Sequence, residues 1–180
     1  MVGAVLTPPV EQGSASGVIF FNNVGTLGMC GHGLIGVIKT LELLGRLESS
    51  EIRVDTPVGT VGARLEADGS VTMQNVPARC QTLDVNVEVP GLGSVKGDVA
   101  WGGNWFFLTS LAEPPLELTH LDELLSVTRQ IRTELDKLDL LAGVGHIDHI
   151  ELFGPPSSQE TDSRNFVLCP GGEYDRSPCG

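Results

Sequence analysis

The chain has 180 residues, with 11 Lys or Arg against 23 Asp or Glu, so its formal net charge is −12 at pH 7 with the four His neutral. This length suits one domain or two small ones, and 41% hydrophobic with 19% charged residues excludes a disordered chain. The negative charge argues against nucleic acid or an anionic membrane as a partner, because both require a basic face. Since no apolar run reaches the roughly 18 residues of a spanning helix and no basic leader starts the chain, we expect a cytoplasmic location.

Short apolar or alternating runs between turn residues predict a chain rich in β-strands. Helical periodicity appears only at residues 33–44 and 121–138. Gly45 is expected to end the first helix, and Thr119 with Asp122 predicts a capping box at the start of the second. Asp68-Gly69 and residues 90–93 predict turns. In chain order, the predicted strands are 2–6, 17–21, 51–55, 60–65, 71–76, 83–89, 95–101, 104–108, 146–153 and 165–168, which indicates an α+β fold.

The densest chemical signal is segment 28–36 (GMCGHGLIG), in the loop that opens the first predicted helix. A thiol at Cys30 would lie at the positive end of the helix dipole, which lowers the pKa of a cysteine towards the thiolate. The amides of Gly31, His32 and Gly33 would point out of the helix N-terminus, where they can bind a carboxylate or phosphate. The segment therefore predicts an activated thiol beside an anion-binding site.

The same segment also matches the dinucleotide-binding pattern G-x-G-x-x-G at residues 31–36. Asp55 ends a predicted strand about twenty residues further on, as that pattern requires. However, the preceding predicted strand ends near Phe21, too early for a tight strand-to-glycine turn, and the following chain is rich in hairpins rather than βαβ units. A dinucleotide-dependent oxidoreductase remains an alternative at this point.

A lone cysteine in a glycine turn is more often a small buried residue than a catalytic one. Here a second cysteine has a similar setting, because Cys179 follows a predicted strand and a glycine turn and is followed by Gly180. Asp175 and Arg176 lie just ahead of it. Two thiols on opposite sides of one substrate can invert a carbon next to a carboxylate, because one removes the proton and the other delivers a proton to the opposite face.

The remaining reactive side chains have plainer interpretations. His146, Asp148 and His149 form a poor chelate, because strand alternation places His149 on the opposite face from the other two. We therefore expect exposed polar positions there and no metal site. Cys80 and Cys169 have no helix N-terminus after them and are expected to be core or surface thiols, and all four cysteines are expected to be reduced.

Two further expectations concern packing. The aromatic residues at 101, 105, 106 and 107 are expected to lie mainly in the core, with one of them available as a wall of a substrate pocket. The second predicted helix is expected to be solvated rather than membrane-bound, because its polar face is acidic rather than basic.

Two motifs carry a family resemblance. Residues 29–33 (MCGHG) and 175–180 (DRSPCG) resemble the paired catalytic motifs of the proline racemase family, and the similarity extends over nearly the whole chain. Segments 55–59 (DTPVG), 75–77 (NVP) and 97–104 (GDVAWGGN) resemble the family as well. Within the family, segments 103–108 (GNWFFL) and 146–151 (HIDHIE) look more like the 4-hydroxyproline 2-epimerases than the proline racemases.

The resemblance implies a cofactor-independent, two-thiol amino-acid epimerase of the proline racemase and diaminopimelate epimerase-like fold. In such a fold, strands wrap around a central helix in each of two halves. By the motif match, Cys30 and Cys179 would be the acid/base thiols. Gly31 and His32 would line the carboxylate and amine side of hydroxyproline or proline. Asp175 would contact the ring nitrogen, Gly180 would begin a second anion-binding site, and the presence of Cys30 favours epimerisation over dehydration.

The family pattern also implies a chain truncated at both ends, with a first lobe at 1–154 lacking its opening strands and a crossover into the second lobe at 155–180. The resemblance then places the helix that would activate Cys179 beyond Gly180, so the expected activity is that of the whole enzyme. Half of a two-lobed enzyme would expose apolar surface, which suggests a homodimer. The alternatives left open are a proline racemase, the dinucleotide-dependent oxidoreductase and a catalytically inert fragment.

Overall fold

A computed structural model describes residues 2–143, 145–177 and Cys179. It divides into two compact units, of which the first contains the described residues up to Ala78 together with Cys179, and the second begins at Arg79 and includes the described residues to Ser177. Each unit is one β-sheet with one long α-helix. The α+β fold class is confirmed, whereas the lobe boundary between residues 154 and 155 stays a prediction about the whole enzyme.

The sheet of the first unit has the order β1-β2-β4-β5-β6, with the short strand β3 also paired to β2. All of its pairings are antiparallel except β2 with β4, where Ser16 is opposite Val54. Helix α1 makes the crossover between these two parallel strands. The elements are β1 Gly3–Thr7, β2 Ser16–Phe21, β3 Thr26–Leu27, α1 Gly31–Leu43, β4 Glu51–Thr56, β5 Gly59–Leu65 and β6 Val71–Gln74.

One face of this sheet packs on α1 and forms the core of the first unit. Strand alternation places Val18 and Phe20 of β2 in that core, while Ile19 and Phe21 on the other face are exposed. Phe20 is fully buried, and its ring lies against Gly33 in the first turn of α1. The helix contributes Leu34, Val37, Ile38 and Leu41 to the same core.

The sheet of the second unit has the order β11-β10-β9-β8-β7. Only β9 with β10 is parallel, and helix α2 makes the crossover between them. Leu124, Leu125, Ile131 and Leu135 of α2 belong to the core that this sheet forms. The elements are β7 Arg79–Val89, β8 Gly93–Trp101, β9 Trp105–Ser110, a 3₁₀ helix Leu118–His120, α2 Leu121–Leu135, β10 His149–Gly154 and β11 Arg164–Leu168.

Each of the ten predicted strands overlaps an observed one, and the differences have local causes. Strand β3 was missed because two residues are too short to show alternation. Strand β7 starts earlier than predicted because register shifts between Cys80 and Val85 disrupt the alternation there. Each sheet also contains one βαβ crossover, which the hairpin-rich pattern did not predict.

The structure confirms one of the two predicted helix caps and contradicts the other. Gly45 has φ +63° and its N–H donates to Glu42 O, while Arg46 N–H donates to Leu41 O, so the predicted glycine end of α1 is confirmed. The predicted capping box is wrong, because Thr119 lies inside the 3₁₀ helix and His120 is the N-cap of α2 without a side-chain capping bond. The 3₁₀ turn carries the chain into α2 instead.

Within the described residues, neither helix is long and apolar enough to cross a membrane.

Candidate active site

Cys30 is the N-cap residue of α1, as the glycine-rich segment predicted. Its backbone is extended (φ −147°, ψ 111°), and its carbonyl accepts the Leu34 N–H at 2.8 Å, which starts the helix. The half-buried thiol lies 3.8 Å from Nδ1 and 3.7 Å from Nε2 of the exposed His32 ring. The structure therefore brings a thiol, an imidazole and the first amides of a helix together, which is a favourable place for a thiolate and for an anionic ligand.

Glycine at position 33 is what allows this thiol to lie against the sheet. A Cβ at Gly33 would be 2.9 Å from Cδ1 of the buried Phe20 ring and 3.1 Å from Cys30 Sγ. At Gly31, a Cβ would be 2.9 Å from Cε of Met73. Gly36, one turn further on, has no neighbour within 4 Å of its would-be Cβ. Close packing thus requires glycine at position 33, whereas at position 31 the neighbour is the flexible end of the exposed Met73 side chain, and position 36 is open.

The substitutions Gly33→Ala and Gly36→Ala are expected to have opposite effects on stability. Alanine favours a helix interior over glycine by about 0.5–1 kcal/mol, and at position 36 this gain is unopposed. At position 33 the added methyl group overlaps the Phe20 ring and the Cys30 sulfur, so we expect a net loss of about 1–3 kcal/mol. Urea unfolding of wild type and both variants measures the change in the free energy of unfolding that each substitution causes. Equal stabilisation by both substitutions would contradict the close packing at position 33.

The second predicted thiol, Cys179, belongs to the same compact unit as Cys30. It is half-buried, with φ +47°, a left-handed backbone conformation that costs a non-glycine residue about 1–2 kcal/mol. Asp175 belongs to the second unit, where its Oδ1 accepts hydrogen bonds from Ser177 N and Ser177 Oγ at 2.8 Å each. Gly180, the predicted start of a second anion-binding site, lies outside the described residues.

Asp55, the acidic residue of the dinucleotide interpretation, has a structural role. Its carboxylate accepts hydrogen bonds from Val10 N, Glu11 N, Ser14 Oγ and Thr60 Oγ1 at 2.7–2.9 Å. Burial by itself would raise the pKa of Asp55, but these four hydrogen bonds outweigh it and lower the pKa to about 2. Because both oxygens are engaged by the chain itself, Asp55 joins a loop to β4 and is not placed to bind a ribose.

The expectation of exposed polar positions at 146–149 is wrong for His149. Its ring is 4% exposed and stacks on Phe106 at 4.5 Å between centroids, and its Nδ1 makes a short contact with Asp148 Oδ1. His146 is exposed as predicted. Among the described residues, no group of three or more His, Cys, Asp or Glu side chains is arranged to hold a metal ion.

Sequence reasoning missed a buried carboxyl group next to this histidine. Glu151 lies on β10 and is 5% exposed, and burial raises its pKa. A hydrogen bond from Asn165 Nδ2 at 2.7 Å and the nearby His149 both lower the pKa, but the effect of burial is larger. The available signal was alternation, since His149 and Glu151 stand two residues apart in an otherwise apolar strand and so share a face.

The other predicted side chains divide between core and surface. Phe106 and Phe107 are buried as expected, whereas Trp101 and Trp105 are half-buried, with the Arg79 guanidinium 4.2 Å and 5.2 Å from the two ring centroids. Cys80 is exposed and Cys169 is half-buried, and all four cysteines are thiols. A pocket of about 270 Å³ in the second unit contains none of the predicted catalytic residues, and its lining is Leu135, Asp136, Lys137, Leu138, Asp139, Leu140, Leu141, Gly145, His146 and Ile147.

Solved structures with the same fold define the class of protein. The chain matches a probable proline racemase from Agrobacterium radiobacter with a TM-score of 0.87, and a hydroxyproline epimerase from Agrobacterium vitis with bound trans-4-hydroxy-L-proline with a TM-score of 0.86. Each match is 20% identical and covers 98% of this chain and 56% of the other. At that identity the similarity shows the fold alone, which is the racemase and epimerase fold.

Sequence comparison identifies the family. A family model described as proline racemase matches residues 1–180, so the chain belongs to the proline racemase family. Curated 4-hydroxyproline 2-epimerases from Xanthomonas campestris and Pseudomonas aeruginosa are each 52% identical to it over 181 residues. Both alignments include the whole chain, and they cover 58% and 57% of the two relatives. The chain therefore spans little more than half the length of the curated relatives it matches.

Proposed function

We propose that this protein is a 4-hydroxyproline 2-epimerase, which inverts the α-carbon of hydroxyproline without a cofactor. The observation that supports this most strongly is the Cys30 thiol at the N-terminus of α1, beside His32. It occurs in a chain about half identical, over its full length, to curated relatives of that name. The proposal is also supported by the similarity between the fold of this chain and that of the solved hydroxyproline epimerase.

In the proposed mechanism, the α-C–H bond breaks as one cysteine thiolate takes the proton, and the bonding pair remains on the α-carbon as a carbanion. The thiol of the other cysteine then protonates the opposite face and becomes a thiolate. Cys30 and Cys179 exchange these roles in the reverse reaction. No atom or electron is gained or lost, so the chemistry needs only acids and bases with matched pKa values.

The carbanion requires its carboxylate to be held by fixed donors, because negative charge develops next to it. The amides of Gly31 and His32 open α1 and are suited to this role, since helix N-termini bind anions. Asp175 is the proposed contact for the ring nitrogen, and Gly180 the start of a second set of amide donors. A cytoplasmic location and a homodimer stay predictions, and a proline racemase remains the alternative function.

The test is ¹H NMR in D₂O on the protein at its full natural length, with trans-4-hydroxy-L-proline and L-proline in separate samples. We expect loss of the α-proton signal of hydroxyproline with growth of the epimer, and a much slower change for proline. Faster exchange of proline would overturn the substrate assignment in favour of a proline racemase. Absence of exchange on both, from a protein that is folded by circular dichroism, would overturn the epimerase proposal.

A further inference from the structure

Two arginines of α2 bind the backbone of the turn that follows β11. Arg132 Nη2 donates to Cys169 O at 2.7 Å and to Leu168 O at 3.3 Å, and its Nη1 donates to Pro170 O at 3.1 Å. The same Nη2 is 3.1 Å from the carbonyl of Asp148, just before β10. One guanidinium therefore joins the helix to the start of β10 and to the end of β11.

Arg129, one turn earlier on α2, completes this contact. Its Nη2 and Nε donate to Gly172 O at 2.7 Å and 3.2 Å. Arg129 is exposed, whereas Arg132 is half-buried, and desolvation lowers the pKa of the Arg132 guanidinium. Planar guanidinium groups with several fixed donors suit a cluster of carbonyl oxygens, which a single ammonium group could satisfy only in part.

The turn held in this way returns the chain along β11. Gly172 N donates to Cys169 O at 2.9 Å, Cys169 N donates to Glu173 O at 2.8 Å, and Asp175 N donates to Val167 O at 2.9 Å. Asp175 is thereby held at a defined position beside β11. Asp175 is four positions before Cys179 in the chain, so a displacement of the turn would move the start of the segment that carries this cysteine.

We propose that Arg132, with support from Arg129, is a positioning residue for Asp175 and Cys179. It acts through the carbonyls of residues 168–170 and does not touch the substrate. This inference rests on the proposed two-thiol epimerase. The proposal assigns a role to a half-buried charge that lies outside both cysteine motifs. It predicts that loss of the arginine impairs one of the two proton transfers more than the other.

The test uses the ratio of α-proton exchange to inversion, measured by ¹H NMR in D₂O from each hydroxyproline epimer. When the Cys179 side is displaced, Cys30 can still remove the α-proton, exchange it as a thiol with deuterium from the solvent, and return a deuteron to the same face, giving exchange without inversion. For Arg132→Ala in the full-length protein we therefore expect the ratio to rise by about tenfold or more from one epimer only, since an error of about 1 Å can cost 10²-fold in rate. A general loss of folded protein would lower exchange and inversion together and leave the ratio unchanged.

Arg164→Ala is the matched control. Arg164 also donates to backbone carbonyls, at Pro155 and Leu116, but it lies at the other end of β11. We expect that control to keep the wild-type ratio from both epimers. If Arg132→Ala does not fold, Arg132→Lys retains the charge and part of the hydrogen bonding, and the same one-sided rise is expected. An unchanged ratio in the folded Arg132 variant overturns the positioning role, whereas absence of exchange in the wild type overturns the epimerase proposal itself.

Discussion

The substitution Cys30→Ser is expected to lower the rate of α-proton exchange from the hydroxyproline epimer whose α-proton faces Cys30 by about 10²–10⁴-fold, the contribution of a positioned acid or base. A serine hydroxyl is nearly the same shape as the thiol, but it does not ionise near neutral pH, so the α-proton loses its acceptor on one face. The helix that begins at Cys30 does not depend on the sulfur, because the contact that starts it is the Cys30 carbonyl with Leu34 N–H. The measurement is ¹H NMR in D₂O, with circular dichroism to verify the fold.

Cys80→Ser is the matched control for this experiment. Cys80 is an exposed thiol on β7, and its S–H donates to the Val99 carbonyl at 3.6 Å. We expect that variant to exchange at the wild-type rate. Exchange at the wild-type rate from both hydroxyproline epimers in Cys30→Ser would remove Cys30 from the mechanism, even if the epimerase activity itself were present.

The second large effect concerns stability, at Asp55. Asp55→Ala is expected to cost about 2–3 kcal/mol at neutral pH, because it removes a charged acceptor shared by two backbone amides and two hydroxyl groups. Asp55→Asn is expected to cost less, about 1 kcal/mol, because one amide oxygen can still accept from Val10 and Glu11 while Ser14 and Thr60 reorient. Urea unfolding at pH 7 measures both, and equal costs would contradict the assignment of the carboxylate as the shared acceptor.

The same residue makes stability depend on pH. The pKa of Asp55 is about 2 in the folded protein against an ordinary value of 3.8, so the carboxylate stabilises the fold above about pH 4. That stabilisation is lost as the pH falls from about 4 through 2, because protonation removes the charge that the hydrogen bonds favour. The difference in unfolding free energy between wild type and Asp55→Asn should therefore shrink over this interval. A constant difference would show that Asp55 is not ionised in the folded state with a lowered pKa.

The strands, the two helices and the thiol at the start of α1 could be predicted from sequence because their signals are local. Alternation, helical periodicity and the glycines around Cys30 depend only on near neighbours along the chain. The same local logic failed at Thr119, where the capping pattern was present but the chain entered α2 through a 3₁₀ turn. It also failed at His149, which was predicted to face solvent and is buried, and it overlooked the buried Glu151 on the same strand.

The sequence by itself determined the α+β class, the family and the position of Cys30 at a helix N-terminus. Only the tertiary structure decided that Asp55 anchors a loop, that Gly33 leaves room for the Phe20 ring, and that Arg132 binds the carbonyls of residues 168–170. The physical reason is that these roles depend on atoms that lie 13 or more residues away in sequence. Their partners are backbone groups or buried rings, which every stretch of chain possesses, so no residue pattern reveals them before the strands and helices have packed.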